Sequence, residues 1–182
     1  MDLPLKTRMA LWWNRPREKT NGPVGLAIRK ERYPITNLLV LLPKKPEHSH
    51  MARMFIQVLQ NAMGPEGRLQ IRYIAIRRNL EYVDSSINDR LITYSKEHVN
   101  RWGLPHKSFL DLIFTSQPDA VIDLNLEFDP FTVAIAQHSN APMRIGFYTE
   151  EGEKYYNILI KRKGSDYIEK GFLNIQQLLG LT

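Results

Sequence analysis

The stretch from Pro118 to Phe147, PDAVIDLNLEFDPFTVAIAQHSNAPMRIGF, restricts the fold more than any other part of the chain. After Pro118, the residues Ala120, Val121, Ile122 and Leu124 make a short apolar run rich in β-branched side chains. A run of that kind reads as a strand buried on both faces. Asp129 then stands at the N-cap of a helix, with Pro130 at its first position, where a missing N–H costs nothing. Asn140-Ala141-Pro142 ends the helix, and Met143 to Tyr148 reads as the next strand. Strand, helix and strand in that order form one crossover step of a parallel sheet.

The flanking segments extend the pattern. Asn37 to Leu42 reads as a buried strand, followed by the loop Pro43 to Ser49 and a helix to about Met63. Its inward face is expected to carry Met51, Met54, Phe55, Val58, Leu59 and Ala62. Leu69, Ile71, Tyr73 and Ala75 alternate with Gln70, Arg72 and Ile74, which predicts a strand with one more exposed face, near an edge. Asn79 to Asn88 reads as a polar connection and Leu91 to His98 as a third strand. Lys107 to Ser116 predicts a helix with Phe109, Leu112 and Ile113 inward. Tyr155 to Ile160 predicts another strand. Asp166 to Leu179 predicts a closing helix with Ile168, Phe172, Ile175, Leu178 and Leu179 on one stripe. The expected architecture is α/β: a single Rossmann-like three-layer domain with a mostly parallel sheet over residues 34–182. A basic amphipathic arm over residues 1–33 precedes it, and a helix closes it.

Charge placement supports that division. The chain carries a net +6, and residues 1–33 hold eight Lys and Arg against three acids, so the arm alone accounts for +5. An anionic partner is therefore expected to meet the arm. Leu5, Met9, Trp12 and Trp13 fall on one face of a short helix stopped by Pro16, and Val24 to Ile28 can add a short strand or strap. Two roles suit this helix. Its Trp-bearing face can dock on the domain or on a second subunit. Alternatively Lys6, Arg8, Trp12, Trp13, Arg15 and Arg17 contact a partner or an anionic membrane surface. With no cysteine in the chain, disulfides and thiol chemistry are excluded, and the cytoplasm is the expected compartment. No secretory signal and no apolar run of the roughly 20 residues needed to cross a bilayer are visible.

In open α/β sheets ligands bind beyond the carboxyl ends of the strands. Those ends supply the loops Lys44 to Ser49, Asn125 to Asp129 and Thr149 to Glu151. Lys44 and Lys45 precede a helix N-terminus, which favours anions. The loop has no glycine to wrap a phosphate, however, so solvated lysines are the expectation. Glu47, His48 and His50 lack metal-ligand spacing, and neither a metal nor a cofactor is expected. Asp123 and Asn125 share one face of their strand and are expected to tie loops together by hydrogen bonds. Glu127 and Asp129 follow. The ligand-binding candidates are Lys44, Lys45, His48, Asn125 and Glu127. Should the chain be an enzyme, Glu47 or Asp129 would be its base. Arg77-Arg78 and Lys161-Arg162-Lys163 are short basic runs at strand ends, and with Tyr155 and Tyr156 they suggest a weaker nucleic-acid alternative.

PDAVIDLN, then HSNAPMRIGF, then YYN resembles the N-terminal domain of the heptosyltransferase-type glycosyltransferases, family nine of the two-domain GT-B architecture. VNRWGLP and the strand and helix at Asn37 to Met63 are compatible with it. The resemblance implies a Rossmann-like domain of a sugar-transferring ancestor. The family's first loop is glycine-rich and carries an acid that serves the acceptor hydroxyl. Here that loop is PKKPEHSH, and only Glu47 can stand in. The family also holds its nucleotide-sugar on a second domain, and none is expected after the closing helix of this chain. The expectation is a non-catalytic binding or assembly module, a pseudoenzyme with a protein partner or a second copy of itself. The alternatives are the acceptor-binding half of an enzyme with a separate donor subunit, and nucleic-acid binding through the arm.

Overall fold

The computed structural model describes residues 4–13, 35–62, 70–161 and 168–179. Within these, helix α1 (Leu5–Trp13) precedes strand β1 (Asn37–Leu41), helix α2 (Ser49–Ala62), and strands β2 (Gln70–Ile76) and β3 (Leu91–Tyr94). Helix α3 (Lys107–Ile113), strand β4 (Ala120–Asp123), helix α4 (Pro130–His138), strands β5 (Met143–Phe147) and β6 (Ile158–Ile160), and helix α5 (Ile168–Leu179) follow. The six strands form one sheet in the order β3-β2-β1-β4-β5-β6, and every pairing is parallel. The expected single Rossmann-like α/β sheet is therefore present.

Period two explains the layers. Leu38 and Val40 of β1 point into one core with Phe55, Ile56 and Leu59 of α2 and Ile175 of α5. Leu39 and Leu41 point into the other, with Leu11 of α1, Phe109 and Ile113 of α3, and Phe131 and Ile135 of α4. Both faces of the central strands are thus covered, which is why they read as apolar runs without alternation. At the amino end, the Asp119 carboxylate accepts hydrogen bonds from the Thr36 N–H (2.8 Å), the Thr36 hydroxyl (2.8 Å) and the Asn37 N–H (2.9 Å). That sets where β1 begins beside β4.

Several expectations need correction. β2 lies second from the edge, between β1 and β3, and Ile74, expected on its more exposed face, is buried in the core shared with α3. The polar connection after β2 is built from two 3-10 segments, Arg77–Tyr82 and Ser85–Arg90. The strand expected over Leu91 to His98 stops at Tyr94, because Lys96–His98 is a 3-10 turn. Tyr155 to Asn157 precede β6 rather than belong to it. Met54 and Leu112 are exposed, and Ala52, Ile56 and Leu110 take their inward places. In α1 the buried positions are Thr7 and Leu11, while Met9 is 60% exposed. The described side chains that turn inward are thus Thr7 and Leu11, and the helix lies against α4. Arg15, Arg17, Val24 to Ile28, Arg162 and Lys163 lie outside the described residues, as do the side chains of Leu5, Trp12, Trp13, Met51, Ala62, Ile168 and Phe172. No helix among the described residues is long and apolar enough to cross a membrane.

Gly146 marks the tightest approach of side chain to sheet. A Cβ there would stand 2.9 Å from three atoms of the Tyr156 ring. The ring cannot step aside, since its hydroxyl is bonded to the buried Asp123 carboxylate. Gly146→Ala is expected to cost about 1–3 kcal/mol through overpacking. In thermal unfolding that corresponds to a fall of roughly 2–4 °C per kcal/mol, and an unchanged melting temperature would contradict this packing.

Candidate functional site

The strand order reverses direction between β1 and β4, so the loops leaving their carboxyl ends diverge and leave a crevice. The crevice has a volume of about 200 Å3. Its walls come from Lys44, Lys45 and His48 of the β1–α2 loop and from Leu126 to Asp129 of the β4–α4 loop, with Arg78 at the side. A second depression, lined by Leu42 and Asn79 among others, offers about 10 Å3, the space of one water.

Below the crevice lies Asp123, the last residue of β4, only 3% exposed. One carboxylate oxygen accepts from the Asn125 N–H (2.9 Å) and the Asn125 amide (2.7 Å), the other from the Tyr156 hydroxyl (2.6 Å). Burial pushes the Asp123 carboxyl up, and the bonds from Thr132, Tyr156 and Asn125 oppose that rise without cancelling it. Burial first, and then the neighbouring Asp123 charge, drive the Tyr156 phenol well above its ordinary value. An acid out of water is tolerated only where donors converge on it.

Asn125 passes the order on. Its amide oxygen accepts the Lys44 N–H at 2.9 Å and its NH2 reaches the Leu42 carbonyl at 3.5 Å. The expected loop-tying role of Asp123 and Asn125 is what the geometry contains. Asn79, buried, donates to the carbonyls of Pro43 (3.3 Å) and Lys44 (2.9 Å) from the far side of the same loop.

Asp129 is the N-cap of α4, its Oδ1 accepting from the N–H groups of Phe131 (2.8 Å) and Thr132 (3.4 Å). Its Oδ2 takes the Lys44 ammonium at 2.6 Å. Lys45 pairs with Glu127 in the same manner. The lysines are therefore not simply solvated, as the sequence suggests: both reach across to acids of the opposite loop. That pairing holds the Glu127 carboxyl below its usual range, with burial acting weakly in the other direction. It raises the Lys45 ammonium as well.

The remaining candidates separate. Glu47 is exposed and outside the crevice lining, whereas His48 is half-buried within it. His50 is exposed on α2. Lys6 and Arg8 are exposed on α1, away from the crevice lining. Among the described residues no group of three or more His, Asp and Glu side chains is placed to hold a metal. Sequence reasoning missed Tyr156, Thr132 and Asn79 as members of the network, and took Arg78 only as half of a basic pair. The signal for Tyr156 is slight: a tyrosine two residues before a short apolar run.

This arrangement defines a Rossmann-like α/β domain of glycosyltransferase-like fold with a polar crevice at its switch point. The chain belongs to the Family of unknown function (DUF6913), whose model matches residues 35–172. No curated protein matches it. Among solved structures it is similar to a glycosyl transferase of family 9 from Veillonella parvula, with a TM-score of 0.53 and 16% identity. That likeness covers 80% of this chain and 41% of the other, so the chain spans about two-fifths of the solved protein's length. At this identity the likeness speaks for the fold, and on that level it agrees with the family resemblance of the sequence.

Two outcomes follow from the network. Because the folded-state value of Asp123 is raised, the folded protein holds its proton after the unfolded chain has lost its own. Stability from this group is present at low pH and is lost as pH rises above the ordinary carboxylate value of about 3.9. Asp123→Asn cannot ionise, so its stability relative to the parent should climb with pH from about 4 upward. Denaturant unfolding of both proteins across that range measures it, and a constant difference would refute the assignment. Asp129→Ala should cost about 1–2 kcal/mol through the lost cap, whereas Asp129→Asn, which can still cap, should cost less in the same measurement.

Proposed function

We propose that this chain is a non-catalytic binding module of glycosyltransferase-like fold, with the crevice between the β1–α2 and β4–α4 loops as its ligand seat. The observation that carries the reading is the engagement of the acids. Sugar transfer to a hydroxyl needs a base whose lone pair faces the acceptor. Asp129 spends one oxygen on the α4 amides and the other on Lys44. Glu127 is paired and held acidic, which makes it a weak base. Asp123 lies beneath the surface behind Asn125 and Tyr156, and Glu47 stands outside the crevice lining. What remains is a shaped, charged hollow with groups suited to hold a ligand.

The test is an amide NMR titration of the full chain with a set of small polar metabolites and nucleotide-sugars, with the mixtures assayed for product. Shifts confined to residues 44–48 and 125–129, with every compound recovered unchanged, are the expected result. Turnover of a nucleotide-sugar that disappears in Asp129→Asn or Glu47→Ala would overturn the reading and make the chain the acceptor-side part of an enzyme.

A further inference from the structure

We infer that the crevice takes a small phosphorylated compound, its phosphoryl group held between Arg78 and Lys45 and its body lying against Phe128. This deepens the proposed binding role and rests on the crevice being the ligand seat. Three observations converge on it.

The first is the balance of charge. Lys44, Lys45 and Arg78 line the crevice against Glu127 and Asp129, an excess of one positive charge before His48 is considered. A cationic ligand would meet two carboxylates that are already paired. An anionic one meets Arg78, whose guanidinium has no hydrogen bond or ion pair with any described residue. A guanidinium facing a hollow offers two parallel donors to a phosphoryl oxygen pair.

The second is the difference between the two ion pairs. Lys44–Asp129 is built in: Asp129 is 10% exposed, caps α4, and faces a lysine whose own backbone is fixed by Asn125. Lys45–Glu127 joins two exposed side chains, 46% and 66% accessible, at the mouth of the same crevice. Exposed pairs of long side chains are weakly held. A phosphate dianion can therefore draw Lys45 away from the Glu127 monoanion with little rearrangement. Glu127 acts as a competitor that occupies the lysine until a stronger anion arrives.

The third is size and wall chemistry. At about 200 Å3 the crevice is below the roughly 300–1,000 Å3 of pockets that enclose drug-sized ligands. A phosphoryl group with one small ring fits that scale. Phe128, tilted at 51° against Tyr155 with centroids 5.9 Å apart, gives the ring a fixed apolar surface.

The experiment uses the full chain with inorganic phosphate, phenyl phosphate and phenyl glucoside, read by amide NMR shifts at residues 44–48, 78 and 125–129. Phosphate is expected to bind, and phenyl phosphate to bind more tightly, with affinity falling as sodium chloride is raised. Arg78→Gln should weaken both at least tenfold. Glu127→Gln should tighten both several-fold, because Lys45 is released; a merely structural role for Glu127 predicts no gain. Unchanged affinity in Arg78→Gln, or weaker binding in Glu127→Gln, would overturn the proposal. If the phosphates fail while phenyl glucoside still shifts these amides, the anion class falls and the ligand seat stands. If none of the three shifts them while the broader metabolite set does so elsewhere, the seat falls as well.

Discussion

The carboxylate of Asp123 is the constraint from which the carboxyl end of the sheet takes its form. It sits buried at the tip of a central strand, with no cation bonded to it among the described residues. Such a group must collect donors or force the structure open. The donors come from separate parts of the chain: Asn125 from the loop directly after β4, and Tyr156 from the segment before β6. Satisfying one acid thus fixes two segments relative to the end of β4. Asn125, once oriented, presents its carbonyl to Lys44, whose side chain then reaches Asp129. A single continuous polar chain runs from the β6 side of the sheet to the loop after β1.

How far the sequence makes this legible depends on the distance over which each contact acts. The β4–α4–β5 step is visible because its signals are local: an apolar run, a capping Asp, a proline at the first helical position. The same is true of the Asp129 cap and of Asn125, two residues from the acid that it binds. Ile74 is misjudged because alternation on β2 looks like an exposed face until Phe109 and Ile113 of α3 are known to share the core on that side. In α1, Leu11 packs into the second core, a position that the stripe of Leu5, Met9, Trp12 and Trp13 read from the sequence does not include. The lysines look solvated because their partners lie 85 and 82 residues away in sequence. Nothing in the local pattern of PKKPEHSH carries that information.

The fold and the site also differ in what they retain of a common architecture. A parallel sheet with crossing helices creates a hollow at its switch point by topology alone, whatever the loops contain. Chemistry depends on which side chains are left without internal duties. Here Asp123, Glu127 and Asp129 are turned inward or toward lysines, and the proline-flanked β1–α2 loop lacks the glycine that would let its backbone close on a ligand. The likeness to a sugar-transferring protein is therefore a statement about the path of the chain. The contents of the hollow have to be judged by their own bonds.

Those bonds give the hollow a vertical gradient of charge. Lys44, Lys45 and Arg78 stand at its walls against Glu127 and Asp129, and the buried acid Asp123 lies under its floor. A fully ionised Asp123 would oppose any anion held above it, across a medium less screening than water. Burial raises the pKa of that same carboxyl, and the hydrogen bonds from Tyr156 and Asn125 act against the rise. The desolvation that makes Asp123 costly to the fold is also what draws in Asn125, and through it the Lys44 end of the crevice. One burial event in the sheet thus determines how the loops around the hollow are held.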